Sequence, residues 1–557
     1  MIGLFYDVLV RAAMLAVIAA PSPARNRDVS VDTYPKNPGI DALNYAFRIE
    51  LSDTTDAIVG ELTLDVRFVA AGVQALRLDL VNAGAAPGAK GMRVAGVTLD
   101  GSAVRYTHAN DVLLIPLASA PAVQQRARVV VRYAGTAATG LIIGPNKHGD
   151  RTFFSDNWPN RARHWLPTID HPYDKATNEF IVSAPSHYQV VSNGLQVEVT
   201  DLPDGRRRTH WRNTVPIAPW LYVLGVARFA MQRVDTFEGK AIETWVYPQD
   251  RDAGFDDFAT PTKRVLAFYS DYVGPFAYER LANIQSNSVS GGMESASAIL
   301  YHESSVTGTR SVRWRNVVIH EIAHQWFGNS VTEADWDDVW LSEGFATYFT
   351  LLYIEHAYGR DEFLRGLESS RRTILRFAAA NPAYTIIHRN LARMEDVTSS
   401  HTYQKGSWTL HMLRGVVGSD AFQRGIRNYY RTYFNANATT ADFRREMEEA
   451  SGRDLGWFFE QWLYKPGHLT VAGGWTYDAR AKQVRITLEQ TQRDGSLFTM
   501  PMELAVHLDG QPAPVMHSVQ MDARNNVYAI DVPSEPTDVQ LDPNHWVLME
   551  ATFGRGR

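Results

Sequence analysis

The sequence contains no cysteine. That excludes disulfide scaffolds, thiolate nucleophiles, cysteine zinc fingers and iron–sulfur clusters together, so any metal must be held by histidines and carboxylates. There is no excess of positive charge either: 55 Lys and Arg stand against 61 Asp and Glu, a formal charge of −6. Without a basic field to displace counterions, no nucleic-acid partner is expected. No stretch approaches the ~20 uninterrupted apolar residues of a bilayer-crossing helix, so no permanent membrane span is expected. Fixed-period repeats are missing, which removes solenoids. The sequence also lacks a Gly-x-Ser-x-Gly elbow, and its Gly239-Lys240 pair is followed by Ala241 rather than Ser or Thr, so neither a serine hydrolase nor a phosphate loop is supported.

What remains is a globular chain of 557 residues, 45% apolar and 11% aromatic. At about 150 residues per domain, it has room for roughly three to four domains. Its first residues carry an apolar run from Ala12 to Ala20, preceded by Arg11 and followed by Pro21-Ser22-Pro23-Ala24. This pattern reads as a signal peptide over residues 1–24 and implies export to a periplasm or the exterior, with a cytoplasmic tail as the alternative. From about residue 41 to 229 apolar and polar residues alternate, as in Leu62-Thr63-Leu64-Asp65-Val66-Arg67-Phe68, the period of strands half-buried in sheets. Between Phe255 and Leu463 the period lengthens to three and four, the helical spacing. Beyond Pro466-Gly467 it returns to two. The fold class expected is a multidomain α+β chain: an N-terminal β-sheet domain over 25–230, an α-rich domain over 231–465 and a C-terminal β-sandwich over 466–557.

His320-Glu321-Ile322-Ala323-His324 lies in a helical run from Val312 to Phe327. Residues four apart stand on one helix face, so His320 and His324 can share one ion. Gly328-Asn329 supplies a helix stop, and Glu343 follows His324 by nineteen residues in the next periodic stretch, which begins near Trp336. A returning helix can bring that carboxylate to the same ion. Two imidazoles and one carboxylate leave a fourth position for water, the donor set of a catalytic zinc rather than a closed structural one. Glu321 is turned about 100° from its neighbour and cannot join them as a ligand, but it can reach the attacking water as a general base. The chemistry implied is zinc-assisted amide hydrolysis, with one Zn2+ per chain. Asp337 and Asp338 are candidates to orient the ligating imidazoles.

These residues resemble the zinc aminopeptidases of the aminopeptidase N and leukotriene hydrolase type. Those proteins combine HExxH, eighteen spacers and Glu with an upstream Gly-x-Met-Glu-Asn, here Gly291-Gly292-Met293-Glu294-Ser295. Tyr403-Gln404-Lys405-Gly406 and the segment from Arg161 to Ala176 match further family elements. The resemblance implies a thermolysin-like catalytic domain and peptide substrates with a free N-terminus. It also implies roles: Glu294 grips the substrate ammonium, Gly291, Gly292 and Met293 line the peptide, and Tyr403 donates to the oxyanion. Ser295 and Ser342 each replace a family Asn. Trp158 stands where many relatives carry a Gln or Glu that helps hold the amine. Its ring face could offer a cation–π contact instead, or Asp156 or Asn157 could supply the acceptor. A zinc endopeptidase on the same core, and a catalytically silent peptide binder, are the competing readings.

Overall fold

The computed structural model describes residues 32–86, 88–387 and 393–556; the signal-peptide reading falls on residues outside these. The N-terminal part is built on an eight-stranded sheet, in the spatial order 195–201, 206–217, 176–185, 40–50, 57–68, 126–136, 91–99 and 102–103. All its neighbours run antiparallel except 40–50 and 176–185, which are parallel. Alternation does the work here: along Ala57–Phe68, Ile58, Leu62, Leu64, Val66 and Phe68 are buried while the residues between them are more exposed. A four-stranded sheet of 189–192, 224–227, 151–155 and 141–145 is interleaved with this layer in sequence, and its strand Arg151–Ser155 leads into the segment that carries Trp158.

A five-stranded mixed sheet then begins, in the order 230–237, 240–246, 280–286, 298–302 and 292–293. Its last strand, Gly292–Met293, pairs antiparallel with 298–302 on one side and, among the described residues, has no strand on the other. Eight α-helices occur among the described residues: α1 (Arg251–Tyr272), α2 (Val312–His324), α3 (Trp340–Tyr358), α4 (Arg360–Ala380), α5 (Gly406–Val417), α6 (Ser419–Thr432), α7 (Thr440–Ser451) and α8 (Gly456–Leu463). Among the described residues, no helix is long and apolar enough to cross a membrane. α3 is buried along nearly its whole length, from Trp340 to Ile354, which is why its sequence is apolar all round rather than on one stripe. The C-terminal part is two sheets, 525–531, 483–490, 469–478 and 549–555 in one, and 515–521, 500–508 and 536–541 in the other.

The architecture is therefore multidomain, with an N-terminal β-sheet domain, a helical domain and a C-terminal β-rich region.

Candidate active site

Helix α2 ends at His324, and the chain tightens into a turn as Gln325 N–H donates to Ile322 O and Trp326 N–H to Ala323 O. The helical run thus stops three residues short of the Phe327 expected from periodicity. His320 and His324 project from the last turn of α2 with their Nε2 atoms 3.1 Å apart. Glu343 sits in the first turn of α3, and its Oε2 lies 3.4 Å from His320 Nε2 and 3.3 Å from His324 Nε2. The structure brings these three side chains to one point from two helices.

His324 Nδ1 meets the carbonyl of Phe327 at 3.1 Å and Ser342 Oγ at 3.1 Å. A carbonyl can only accept, so Nδ1 carries a proton and Nε2 is the nitrogen turned toward Glu343. The expected orienting role of Asp337 or Asp338 does not hold for this ring. Asp338 instead accepts from Thr440 N–H at 3.2 Å and Thr440 Oγ1 at 2.7 Å, tying the 336–338 turn to α7. Ser342, where the family has Asn, is the residue that touches the imidazole.

Glu321 is 5% exposed, and the backbone of Gly292 approaches it so closely that any Cβ at 292 would collide with its carboxylate. The edge strand thus lies directly on the residue expected to act as base. Glu294 follows that strand and is 5% exposed; its backbone carbonyl accepts from Gln325 Nε2 at 3.0 Å and Asn329 Nδ2 at 2.6 Å. Its side-chain Oε1 is buried without a partner. Gln325 and Asn329 were not among the expected site residues; Asn329 reads in the sequence only as part of a helix stop. Behind them, Lys175 from the N-terminal part donates to Asn329 O at 2.9 Å and Ser330 O at 2.8 Å, clamping the turn after α2.

Tyr403 lies in a π-helical turn, His401–Lys405, just before α5. Such wide turns re-aim side chains at functional sites. Its hydroxyl donates to Glu343 Oε1 at 2.8 Å, and its ring stacks 6.1 Å from that of His320. This approach depends on two glycines: a Cβ on Gly344 would lie 3.1 Å from Gly406 Cα, so α3 and the start of α5 pass almost backbone to backbone. Trp158 is placed differently, its ring edge-on to Trp220 at 4.8 Å and to Trp336 at 5.2 Å.

Burial and the charge of Glu343 hold the Glu294 carboxyl up at about 7, against the pull of His324. Burial, then the charge of Glu294, pushes Glu321 well above the carboxylate range. Glu343 alone goes down, to about 2, because the charge of His324 and the bonds from both imidazoles outweigh its burial. Three carboxylates thus crowd two imidazoles in a buried site, and the mutual repulsion that raises Glu294 and Glu321 is what a cation held there would relieve.

Residues 259–462 match the Peptidase family M1 domain and residues 41–221 the Peptidase M1 N-terminal domain. The chain belongs to peptidase family M1. Among curated proteins, this M1 chain is 28% identical over 334 residues to glutamyl aminopeptidase of Mus musculus, covering 57% of the chain and 35% of the relative. It is 25% identical over 460 residues to "Probable aminopeptidase 1" of Sulfurisphaera tokodaii, covering 79% of the chain and 57% of the relative. The crystal structure of Legionella pneumophila aminopeptidase A in complex with aspartic acid matches its fold with a TM-score of 0.80 at 17% identity, over 95% of this chain and 61% of that one. The M1 chain therefore spans 35% to 61% of the length of these three proteins.

Proposed function

We propose that the chain is a zinc-dependent aminopeptidase that removes N-terminal residues from peptides. The observation that carries this reading is the buried, partnerless Oε1 of Glu294, set beside the His320, His324 and Glu343 cluster. An unpaired buried carboxylate costs about 1–3 kcal/mol or more, and a substrate ammonium supplies the missing donor where an internal peptide nitrogen would not.

The donor set fits zinc. Glu343 Oε2 is buried and faces the Nε2 atoms of both imidazoles at 3.4 and 3.3 Å. One nitrogen from each of two histidines and one carboxylate oxygen make a three-ligand catalytic set. Zinc, when bound, supplies Lewis acidity toward a carbonyl and lowers the pKa of water.

The side chains divide the remaining work. Glu321 accepts the proton of the attacking water and passes it to the departing amine nitrogen. Tyr403, whose phenol is held protonated by burial and by the charge of Glu343, donates toward the oxygen that gains charge as the carbonyl becomes tetrahedral. The free side of Gly292–Met293 offers backbone groups to an extended peptide, in the manner of strand addition. Glu294 sets the register by binding the ammonium, so that cleavage falls after the first residue. The run Ala12 to Ala20 and its Pro21-Ser22-Pro23-Ala24 ending support export of the chain after cleavage of residues 1–24.

An aminoacyl-anilide and its N-acetylated form test the reading. The free amine is expected to be hydrolysed and the blocked one spared, with activity lost on chelation and restored by zinc. Preference for the acetylated substrate would reject an exopeptidase in favour of an endopeptidase.

A further inference from the structure

A cavity of about 700 Å³ lies between α1, α2 and the end of α3, a volume suited to one small molecule. None of the residues expected at the active site lines it. Val318 does, two positions and about 200° round α2 from His320, so the cavity is on the other face of that helix. Its lining is mostly apolar: Phe258 and Phe268 come from α1, Trp314 and Val318 from α2, and Tyr353 from α3. Phe268 and Tyr353 meet edge to face at 5.5 Å, tying α1 to α3. Almost all the backbone groups of these helical walls are spent on their own ladders. A peptide seated there would leave amides unsatisfied, whereas an alkyl chain has none to satisfy.

The charged groups of the lining are unequally matched. Asp257 accepts from the N–H groups of Thr307 at 2.6 Å, Gly308 at 2.8 Å and Arg310 at 2.8 Å, and Arg310 pairs with Asp256 at 2.6 Å. Arg264 and Arg315 are left over. Among the described residues, Arg264 has no hydrogen bond or ion pair. Arg315 donates from Nε and Nη2 to Asn316 Oδ1 at 3.1 and 2.9 Å, with its guanidinium 4.0 Å from the centre of the Tyr358 ring. Glu362, whose carboxylate feels the charge of Arg315, is held by Arg365 at 3.0 Å. Both guanidinium groups act on one phenol: burial and then Tyr358 push Tyr353 up, while Arg264 and Arg315 pull it down. The Tyr353 hydroxyl itself has no hydrogen bond among the described residues. Two like charges and a free O–H donor therefore share one place with no carboxylate to answer them. Asp271, the remaining acid of the lining, stands seven positions beyond Arg264, about 10 Å further along α1.

We propose that this cavity binds an amphipathic monocarboxylate of the fatty-acid class. The alkyl chain lies among Phe258, Phe268, Trp314 and Val318, and the carboxylate is held by Arg264, Arg315 and the Tyr353 hydroxyl. The site is separate from peptide hydrolysis and does not depend on the aminopeptidase reading.

The test titrates decanoate, decan-1-ol and butyrate by calorimetry into the zinc-loaded protein and into protein freed of metal by chelation. Decanoate is expected to bind one per chain in both, since a carboxylate that merely ligates zinc would bind only the first. Decanol, lacking the charge, should bind about tenfold more weakly, and butyrate, lacking six methylenes, at least about a hundredfold more weakly. Arg264 and Ala267 are exposed positions of α1, so changes there spare the core. Arg264→Gln is expected to weaken decanoate about tenfold and leave decanol unchanged. Ala267→Trp, which fills the cavity, should abolish binding of both. Absence of saturable binding, binding that vanishes on chelation, or binding that neither variant moves overturns the assignment. Decanol bound as tightly as decanoate overturns it as well, because the arginines would then have no anion to hold. A concentration-dependent dimer that Ala267→Trp dissociates would give the cavity to a second copy of the chain instead.

Discussion

The Tyr403 hydroxyl donates to Glu343 Oε1 at 2.8 Å, across sixty positions of sequence, while the other oxygen of the same carboxylate faces both imidazoles. One residue thus touches the expected ligand set and the expected oxyanion donor. Loss of the phenol oxygen should leave the ligands in place but remove a donor to the developing charge. Tyr403→Phe is expected to lower kcat about 10²- to 10³-fold with little change in KM or zinc content. Steady-state kinetics with metal analysis decide it; zinc lost in step with activity would make Tyr403 a support for Glu343 rather than an oxyanion donor.

Glu321 lies one position from His320, with its carboxylate against Gly292 and within 4.8 Å of a His324 ring nitrogen. Glu321→Gln preserves shape and should retain zinc while turnover drops about 10²- to 10⁴-fold. Equal loss of metal in this variant would contradict its role as proton acceptor.

Gly292 tests the close approach directly. The three atoms nearest a methyl group there all belong to the Glu321 side chain. Gly292→Ala should therefore displace the base without unfolding the sheet: an activity loss of at least about tenfold, with Tm nearly unchanged. Full activity in this variant would mean that Glu321 acts from another position.

Lys405 is buried, donates to Gly467 O at 2.9 Å, and has its pKa lowered by burial from 10.5 to about 7. Because the folded pKa lies below the unfolded one, the unfolded chain binds more protons between about pH 7 and 10.5. Stability from this residue is therefore present above that window and lost as pH falls through about 7. Lys405→Met removes the slope. The Tm of wild type minus that of the variant should rise between pH 6.5 and 9.5, whatever the fixed cost of the bond to Gly467; a flat difference by scanning calorimetry would show that the lysine is not desolvated.

Two of the expected ligands were legible because their relation is local. His320 and His324 sit four apart on a helix, and helical geometry alone stacks them. Glu321 was legible for the same reason, since the angle between adjacent residues separates it from its neighbours. Asp338 misled for the His324 ring, because proximity in sequence to Glu343 says nothing of direction: the 336–338 turn points Asp338 at Thr440, and the Phe327 carbonyl takes the imidazole proton instead. Gln325 left no signal, Asn329 showed only as a helix stop and Lys175 only inside the segment from Arg161 to Ala176, because what they bind is backbone, and a backbone carbonyl has no residue identity to match.

The sequence by itself determined the strand and helix periods, the exclusion of thiol chemistry and the pairing of imidazoles on one face of α2. Only tertiary structure decided that Glu343 turns Oε2 toward those imidazoles, that Tyr403 reaches the same carboxylate, and that Trp158 packs against tryptophans while Asp156 pairs with Arg161. The reason is physical: periodicity fixes which face a side chain occupies within its own element. What that face meets depends on how closely two backbones can pass, and here that is settled where Gly344 lies against Gly406.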